Sequence, residues 1–155
     1  MKRFFQLATV LALMVSVFAA SCSKEEDYAQ KEVDAIAKAI SQYPDSSFKA
    51  AYDVYGNAVL RYIKEAGDST AIDSNKDTVE LIYSGKTLQK NFVFAKDEKY
   101  TVPVRFLIPG FRIGLHGVKR KSKLTLIIPY SLAYGSSGNG NVEPYSTLLF
   151  DITVK

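Results

Sequence analysis

Aromatic side chains are the most abundant residues of this chain that could build a binding or catalytic site. The 155 residues include ten tyrosines and nine phenylalanines, whereas histidine and cysteine occur once each, as His116 and Cys22. A single cysteine excludes an intrachain disulfide and a Cys-x-x-Cys zinc site, and a single histidine excludes a histidine-rich metal cluster. This composition suits hydrolysis poorly but suits an apolar cup well, because aromatic rings offer large rigid surfaces. We therefore expect no metal and no cofactor.

The last third of the chain carries five short motifs in a fixed order. They are Leu107-Ile108-Pro109-Gly110-Phe111, Gly114-Leu115, Leu124-Thr125-Leu126-Ile127-Ile128-Pro129, Leu132-Ala133-Tyr134-Gly135 and Thr147-Leu148-Leu149-Phe150-Asp151. This run resembles the FKBP-type peptidyl-prolyl cis-trans isomerases, whose motifs are approximately V-I-P-G-W, L-x-I-P, A-Y-G and T-L-x-F-D. A weaker upstream match begins at Ile82, and the resemblance covers residues 55–155. It implies an α+β fold in which a twisted antiparallel β-sheet wraps around one short helix.

The resemblance also implies which residues form the site, between the helix and the sheet. Phe111 stands where the family usually has a tryptophan at the floor of the proline pocket. The Ile108 amide would donate to a substrate carbonyl, and the Tyr134 hydroxyl would bond the carbonyl that precedes proline. The residues implied as catalytic are Tyr83, Phe94, Leu107, Ile108, Phe111, Tyr134 and Phe150. Those implied as substrate-binding are Tyr100, Val102 and Val142.

The chemistry implied by this family requires no nucleophile. Rotation about an Xaa–Pro bond faces a barrier of ~20 kcal/mol, because twisting breaks the amide resonance. An apolar cup that holds the proline ring and excludes water favours the twisted amide, which is less polar than the planar one. The expected partners are therefore proline-containing polypeptide segments.

One departure from the family pattern concerns the polar rim of the pocket. The family usually has an aspartate directly after the phenylalanine of the second strand, whereas here Phe94 is followed by Ala95 and the next acid is Asp97. We therefore expect weak isomerase activity. A non-catalytic chaperone or binding module that keeps the apolar cup is the alternative, and a purely structural surface lipoprotein is a third reading.

Several elements must position these residues. Residues 25–43 have helical periodicity that ends at Pro44, and they predict a helix packed on a domain or standing off from a membrane, with a dimerisation helix as the alternative. Residues 45–57 predict a loop or a short second helix. Strand patterns occupy residues 58–63, 78–83, 92–94, 100–102, 124–128 and 147–154, and a short amphipathic stretch follows Pro109-Gly110. His116 is expected on the helix surface or at its C-terminal end, with no catalytic role.

The pattern of the first residues is typical of a targeting segment. Lys2 and Arg3 precede a nearly uninterrupted apolar run over residues 4–20, which is typical of a secretory signal. A single membrane-spanning helix is the alternative. Three small residues directly before Cys22 resemble a lipoprotein-processing box, in which the cysteine thiol is lipid-modified and becomes the first mature residue. The expected organisation is a signal peptide over residues 1–21, a tether and helical segment over 22–54, and an FKBP-like domain over 55–155.

The residues after Cys22 indicate where in the cell the protein is expected. Ser23-Lys24-Glu25-Glu26-Asp27 resembles the Lys-plus-acidic tag that sends lipoproteins to the outer cell surface in some Gram-negative bacteria, although acids also favour a helix start. We expect an outer-membrane lipoprotein, exposed to the periplasm or the cell surface, and a monomer. Without Lys2 and Arg3 the net charge falls from +4 to +2, which is too small to indicate nucleic-acid binding.

The lipid anchor can be tested with one substitution. Cys22→Ser should abolish incorporation of a labelled fatty acid in growing cells, because serine cannot form the thioether. Fatty acid that still labels the variant would contradict the anchor.

Overall fold

A computed structural model describes residues 27–43 and 48–155 of the chain. The predicted signal peptide over residues 1–21 and the lipidation site Cys22 lie outside the described residues. Within the described ranges, no helix is long and apolar enough to cross a membrane.

The core of the fold is one antiparallel sheet. In the described residues it has six strands: β1 (Lys49–Tyr52), β2 (Ala58–Glu65), β3 (Thr78–Thr87), β4 (Val93–Pro103), β5 (Lys123–Ile128) and β6 (Leu148–Val154). Their spatial order is β1-β2-β5-β6-β3-β4, and every neighbouring pair is antiparallel. Helix α1 covers residues 27–40 and helix α2 covers Pro109–Leu115. The expected α+β fold, with an N-terminal helix before the sheet, is therefore confirmed.

Strand β5 shows that both faces of the sheet are covered. Its residues from Leu124 to Ile128 are all buried, without the alternation of a strand that has one wet face. Leu124, Leu126 and Ile128 belong to the main core cluster, whereas Ile127 belongs to a second cluster on the opposite face. The sheet thus separates two apolar layers.

Helix α2 lies on one face, close to the sheet. It begins at Pro109, whose missing N–H costs nothing at the first position of a helix. Gly110 and Gly114 lie four residues apart on one side of α2. A Cβ atom at Gly110 would lie 2.2 Å from Ile128, and one at Gly114 would lie 2.5 Å from Leu126. The two glycines therefore allow the helix to approach β5 more closely than any other residues would.

The C-terminal end of α2 is held by a side chain of β2. Arg61 donates to the carbonyl oxygens of Gly114 and His116, each at 3.0 Å. These carbonyls lack partners within the helix, so the guanidinium satisfies them and its charge favours the negative end of the helix dipole. His116 is the C-terminal cap residue of α2 and is exposed, as the sequence predicted.

Helix α1 covers the other face of the sheet. Ala39 is buried against Ile127 and Leu149, with partly buried apolar residues around them: Ile36, Ile40, Tyr43, Phe48, Leu60 and Leu88. The helical periodicity came from Val33, Ile36, Ala37, Ile40 and Tyr43. Of these, Ile36, Ile40 and Tyr43 pack on this cluster, whereas Val33 and Ala37 are exposed. Helix α1 thus lies on the domain, which is the first of the arrangements that its periodicity allowed.

Two local expectations were wrong. Residues 49–52 form a strand, where the sequence predicted a loop or a short second helix, so the sheet begins before residue 55. This strand carries two alanines of low β-propensity, and its pairing with β2 stabilises it instead. The two short extended pieces expected at 92–94 and 100–102 are joined in one 11-residue strand, β4, which begins at Val93.

Replacing one glycine of α2 should test the close contact with β5. Gly110→Ala should lower the free energy of unfolding by ~1–3 kcal/mol, because the added methyl overlaps Ile128. Arg112→Ala, an exposed position on the same helix, should change it by less than about 0.5 kcal/mol. Urea denaturation of both variants measures the difference, and equal stabilities would rule out the steric role of Gly110.

Candidate active site

Four aromatic rings from four different elements meet between α2 and the sheet. Phe111 of α2 lies 4.6 Å from Phe150 of β6, measured between ring centroids, with the rings edge to face. Phe94 of β4 lies 5.6 Å from the same Phe150 ring, and Tyr83 of β3 lies 6.0 Å from it. Edge-to-face contacts at these distances are the favourable arrangement for aromatic pairs. We call these four rings the aromatic cup.

The cup has a buried floor and a partly exposed rim. Phe111 and Phe150 are 5% and 2% exposed, so they form the floor. The other five residues implied as catalytic are partly buried and pack against the same main core cluster: Tyr83, Phe94, Leu107, Ile108 and Tyr134. All seven residues that the resemblance implied as catalytic therefore belong to one core or contact it.

Gly85 is a part of the cup that the sequence analysis did not include. It lies two residues after Tyr83 on β3, on the same face of the sheet. A Cβ atom there would lie 2.7 Å from the rings of both Phe94 and Phe150. Any side chain at this position would push the two rings apart. The motif Tyr83-Ser84-Gly85 was visible in the sequence, but its steric reason required the register of β3, β4 and β6.

Ile108 lies directly before helix α2, three residues from Phe111. It is the N-terminal cap residue of the helix, and its carbonyl accepts from the Phe111 amide at 3.0 Å. The Ile108 amide donates none of the backbone hydrogen bonds found between described residues. It is therefore available for the donor role that the resemblance implies.

Tyr134 belongs to a long loop between β5 and β6, residues 130–147, which we call the flap. Four backbone hydrogen bonds at its base and tip give the flap a defined shape: Gly135 to Tyr130, Gly138 to Tyr134, Val142 to Asn139 and Tyr145 to Gly135. Gly138 has a φ of +70°, and a Cβ atom there would lie 2.4 Å from the Val142 carbonyl oxygen. Glycine is therefore required at this tight turn.

The three residues implied as substrate-binding occupy different environments. Val142 anchors the flap in the main core and is 5% exposed. Val102 is also buried in that core, opposite Val79, so it presents little surface to a ligand. Tyr100 is 50% exposed and stands opposite Leu81, on the cup face of β4.

The acids near the cup are arranged differently from the family pattern. Asp97 does not replace the missing aspartate, because its carboxylate accepts from the Ser84 hydroxyl at 3.2 Å and its amide donates to Ser84 Oγ at 3.0 Å. Ser84 alternates with Tyr83 and Gly85, so it faces away from the cup. The register places Glu98 opposite Tyr83 instead. The sequence alone does not reveal Glu98, because the irregular pairing of β3 with β4 determines which acid faces the cup.

Tyr83 is the member of the cup that can ionise, and its pKa is raised. Partial burial raises the pKa of its phenol, and the Glu98 carboxylate raises it further. The neighbouring phenols of Tyr134 and Tyr100 act in the same direction. Tyr83 is therefore a neutral hydrogen-bond donor throughout the physiological pH range.

A separate groove lies elsewhere on the surface. A groove of about 770 Å³ lies between Tyr28 of α1, Phe92 of the β3–β4 turn and Tyr145 of the flap. It contains none of the seven residues implied as catalytic. The cup is the better candidate, because it combines a rigid apolar floor with a free amide and two phenols at its rim.

A six-stranded antiparallel sheet around a short helix, with an aromatic cup between them, defines the FKBP class of fold and site. The family model described as FKBP-type peptidyl-prolyl cis-trans isomerase matches residues 70–155. The chain belongs to this family.

Relatives of known sequence and structure agree with this assignment. The FKBP-type peptidyl-prolyl cis-trans isomerase FkpA of Escherichia coli is 38% identical over 97 residues, which are 58% of this chain and 34% of FkpA. A probable FKBP-type peptidyl-prolyl cis-trans isomerase of Haemophilus influenzae is 32% identical over 153 residues, which are 94% of this chain and 61% of that protein. The crystal structure of E. coli FkpA superposes with a TM-score of 0.68 at 28% identity, covering 94% of this chain and 68% of FkpA. In the sequence comparisons the match thus spans about a third of FkpA and less than two thirds of the H. influenzae protein.

The raised pKa of Tyr83 can be measured by alkaline titration. The wild type and Tyr83→Phe should differ in phenolate absorption only above pH 10.0, which is the ordinary pKa of tyrosine. Because the folded state holds this proton more tightly than the unfolded chain, the wild type should lose stability relative to Tyr83→Phe as the pH rises above 10. A phenolate that forms at or below pH 10 would contradict the partial burial of Tyr83.

Proposed function

We propose that this protein is a peptidyl-prolyl cis-trans isomerase that uses the aromatic cup as its active site. The observation that carries the proposal is the convergence of Tyr83, Phe94, Phe111 and Phe150 on one spot beside the free Ile108 amide. Membership of the FKBP family supports the same activity. The substrate class is a polypeptide segment that contains an Xaa–Pro bond.

In this proposal, different groups of the site have different roles in catalysis. The buried Phe111 ring forms a flat apolar floor for the proline ring, and Phe150 holds it in place from the side. Rim residues exclude water from the amide as it twists, which favours the less polar twisted state. The Ile108 amide and the Tyr134 hydroxyl supply donors for the substrate carbonyls, so the chain is held while the bond rotates.

A second candidate function rests on the rim of the cup. Ala95 brings no carboxylate, and the Asp97 carboxylate is engaged by Ser84. A cup of this kind could hold proline-containing chains without accelerating their isomerisation. The non-catalytic module and the weak isomerase differ in one measurable quantity, the rate of isomerisation per bound peptide.

We propose that this activity lies outside the cytoplasm, because the first residues resemble a secretory signal. In the proposed setting a lipid on Cys22 anchors the protein in the outer membrane, facing the periplasm or the cell surface. Exported chains reach that compartment unfolded, with Xaa–Pro bonds in both isomers and with slow exchange between them. We propose that the protein assists the folding of such chains as a monomer.

A protease-coupled assay on short Xaa–Pro peptides tests the activity and the role of Tyr134. Tyr134→Phe should lower the isomerisation rate about two- to tenfold, because one neutral hydrogen bond contributes ~0.5–1.5 kcal/mol. Its melting temperature should stay near that of the wild type. Tyr55→Phe is the matched control, since Tyr55 is 87% exposed at the turn between β1 and β2. A Tyr134→Phe protein that melts lower but is fully active per folded molecule would remove Tyr134 from the site.

Phe111→Ala separates the two candidate functions. It empties the floor of the cup, so an isomerase should lose most of its activity and its peptide affinity together. The variant should also lose ~3 kcal/mol of stability, because the ring is buried. Wild-type protein that binds a proline peptide through Phe111 but does not change its isomerisation rate would be the non-catalytic module.

A further inference from the structure

The flap that carries Tyr134 is held at both ends by one side chain of helix α1. Glu32 Oε1 accepts from the Tyr130 amide at 2.9 Å and from the Thr147 hydroxyl at 2.7 Å. Tyr130 and Thr147 are the first and last residues of the flap. A single carboxylate oxygen therefore joins the start and the end of the loop, and it comes from a residue far earlier in the chain.

The Thr147 end of this connection is buried and fully bonded. Thr147 has no exposed surface, and its hydroxyl donates to Glu32 while it accepts from the Gln89 side-chain amide at 2.9 Å. The Thr147 backbone amide donates to Gln89 Oε1 at 3.1 Å. Glu32, Thr147 and Gln89 thus form one connected network, in which the carboxylate is the only charged member. Hydrogen bonds to a charged acceptor are the stronger kind.

A second contact joins the same helix to the same loop. The Tyr28 ring stacks on the Tyr145 ring with centroids 4.1 Å apart and planes 9° apart. Tyr145 also meets Tyr130 at 5.3 Å. Tyr28 and Glu32 are four residues apart and lie on one face of α1. That face is therefore fitted to the flap, in addition to the apolar stripe that covers the sheet.

We propose that Glu32 is a positioning residue for the active site, which acts by fixing the flap and with it Tyr134 and Val142. The proposal rests on the proposed isomerase function. It extends the functional unit beyond residues 70–155, which the family model matches, to a helix that the sequence analysis assigned to the tether segment. Without the Glu32 carboxylate, the two ends of the flap lose their shared acceptor, and the Tyr134 hydroxyl samples positions away from the cup.

Three variants of helix α1 test this role. Glu32→Ala removes the acceptor, whereas Glu32→Gln keeps an acceptor oxygen without the charge. Asp34→Ala is the matched control, because Asp34 is an exposed acid on the same helix whose carboxylate accepts from the Gln30 side-chain amide. Two quantities are measured on each protein: kcat and KM for Xaa–Pro peptides, and hydrogen exchange of the flap amides of Gly138, Val142 and Tyr145.

The expected result has a distinct pattern. Glu32→Ala should lower kcat/KM about tenfold and speed exchange of the flap amides by a similar factor, with exchange in β5 and β6 unchanged. Glu32→Gln should restore most of the wild-type kcat/KM and most of the slow exchange of the flap amides. Asp34→Ala should match the wild type in both measurements. If Glu32→Ala does not fold, Thr147→Val removes the donor from the other side, and the same two changes are expected.

Two results would overturn the proposal. One is a Glu32→Ala protein whose flap amides exchange as slowly as those of the wild type. The other is faster flap exchange with an unchanged kcat/KM, which would make the contact structural only. Failure of the proposed function itself would look different: the wild type would not accelerate isomerisation, while flap exchange in Glu32→Ala would still decide whether Glu32 fixes the loop.

Discussion

The close contact of helix α2 with strand β5 is the constraint on which the site depends. Gly110 and Gly114 remove the side chains that would otherwise separate the helix from Ile128 and Leu126. The backbone of α2 therefore lies close against strand β5. Phe111 follows Gly110 directly, so its ring is delivered to the Phe150 ring of the neighbouring strand. A helix held farther out would leave a gap between these rings, and the cup would have no floor.

The sheet serves two helices, and each of them contributes to the site in a different way. Helix α2 supplies the floor of the cup and the Ile108 amide. Helix α1 lies on the opposite face, where it completes the burial of Ile127 and Leu149. It also reaches the rim, because the flap bends around the sheet to meet Glu32 and Tyr28. The two layers of the domain are thus connected through the flap as well as through the sheet.

The sequence was most informative where local signals and burial agree. Pro109 marked the start of α2, and the apolar runs of β5 and β6 marked two central strands. The ordered motifs also assigned Phe111 and Tyr134 to one site.

Features that depend on pairing between distant parts of the chain were not visible in the sequence. The alanine-rich strand β1 exists only because β2 pairs with it, and Asp97 faces Ser84 only because the ladder between β3 and β4 is irregular. Glu32 has its partners 98 and 115 residues away, so no local pattern could reveal them.

The strand order has a consequence for the route by which this domain assembles. Strand β6 is the latest in chain order, yet it lies between β5 and β3 and supplies Phe150 to the cup. Until it is inserted, the sheet is two separate pieces, β1-β2-β5 and β3-β4, each with an open inner edge. Insertion joins residues far apart in sequence, which makes folding slow for the size of the domain. A ribosome that still holds the residues around 148–154 would therefore keep the whole site unformed, and the cup would form only after those residues are released.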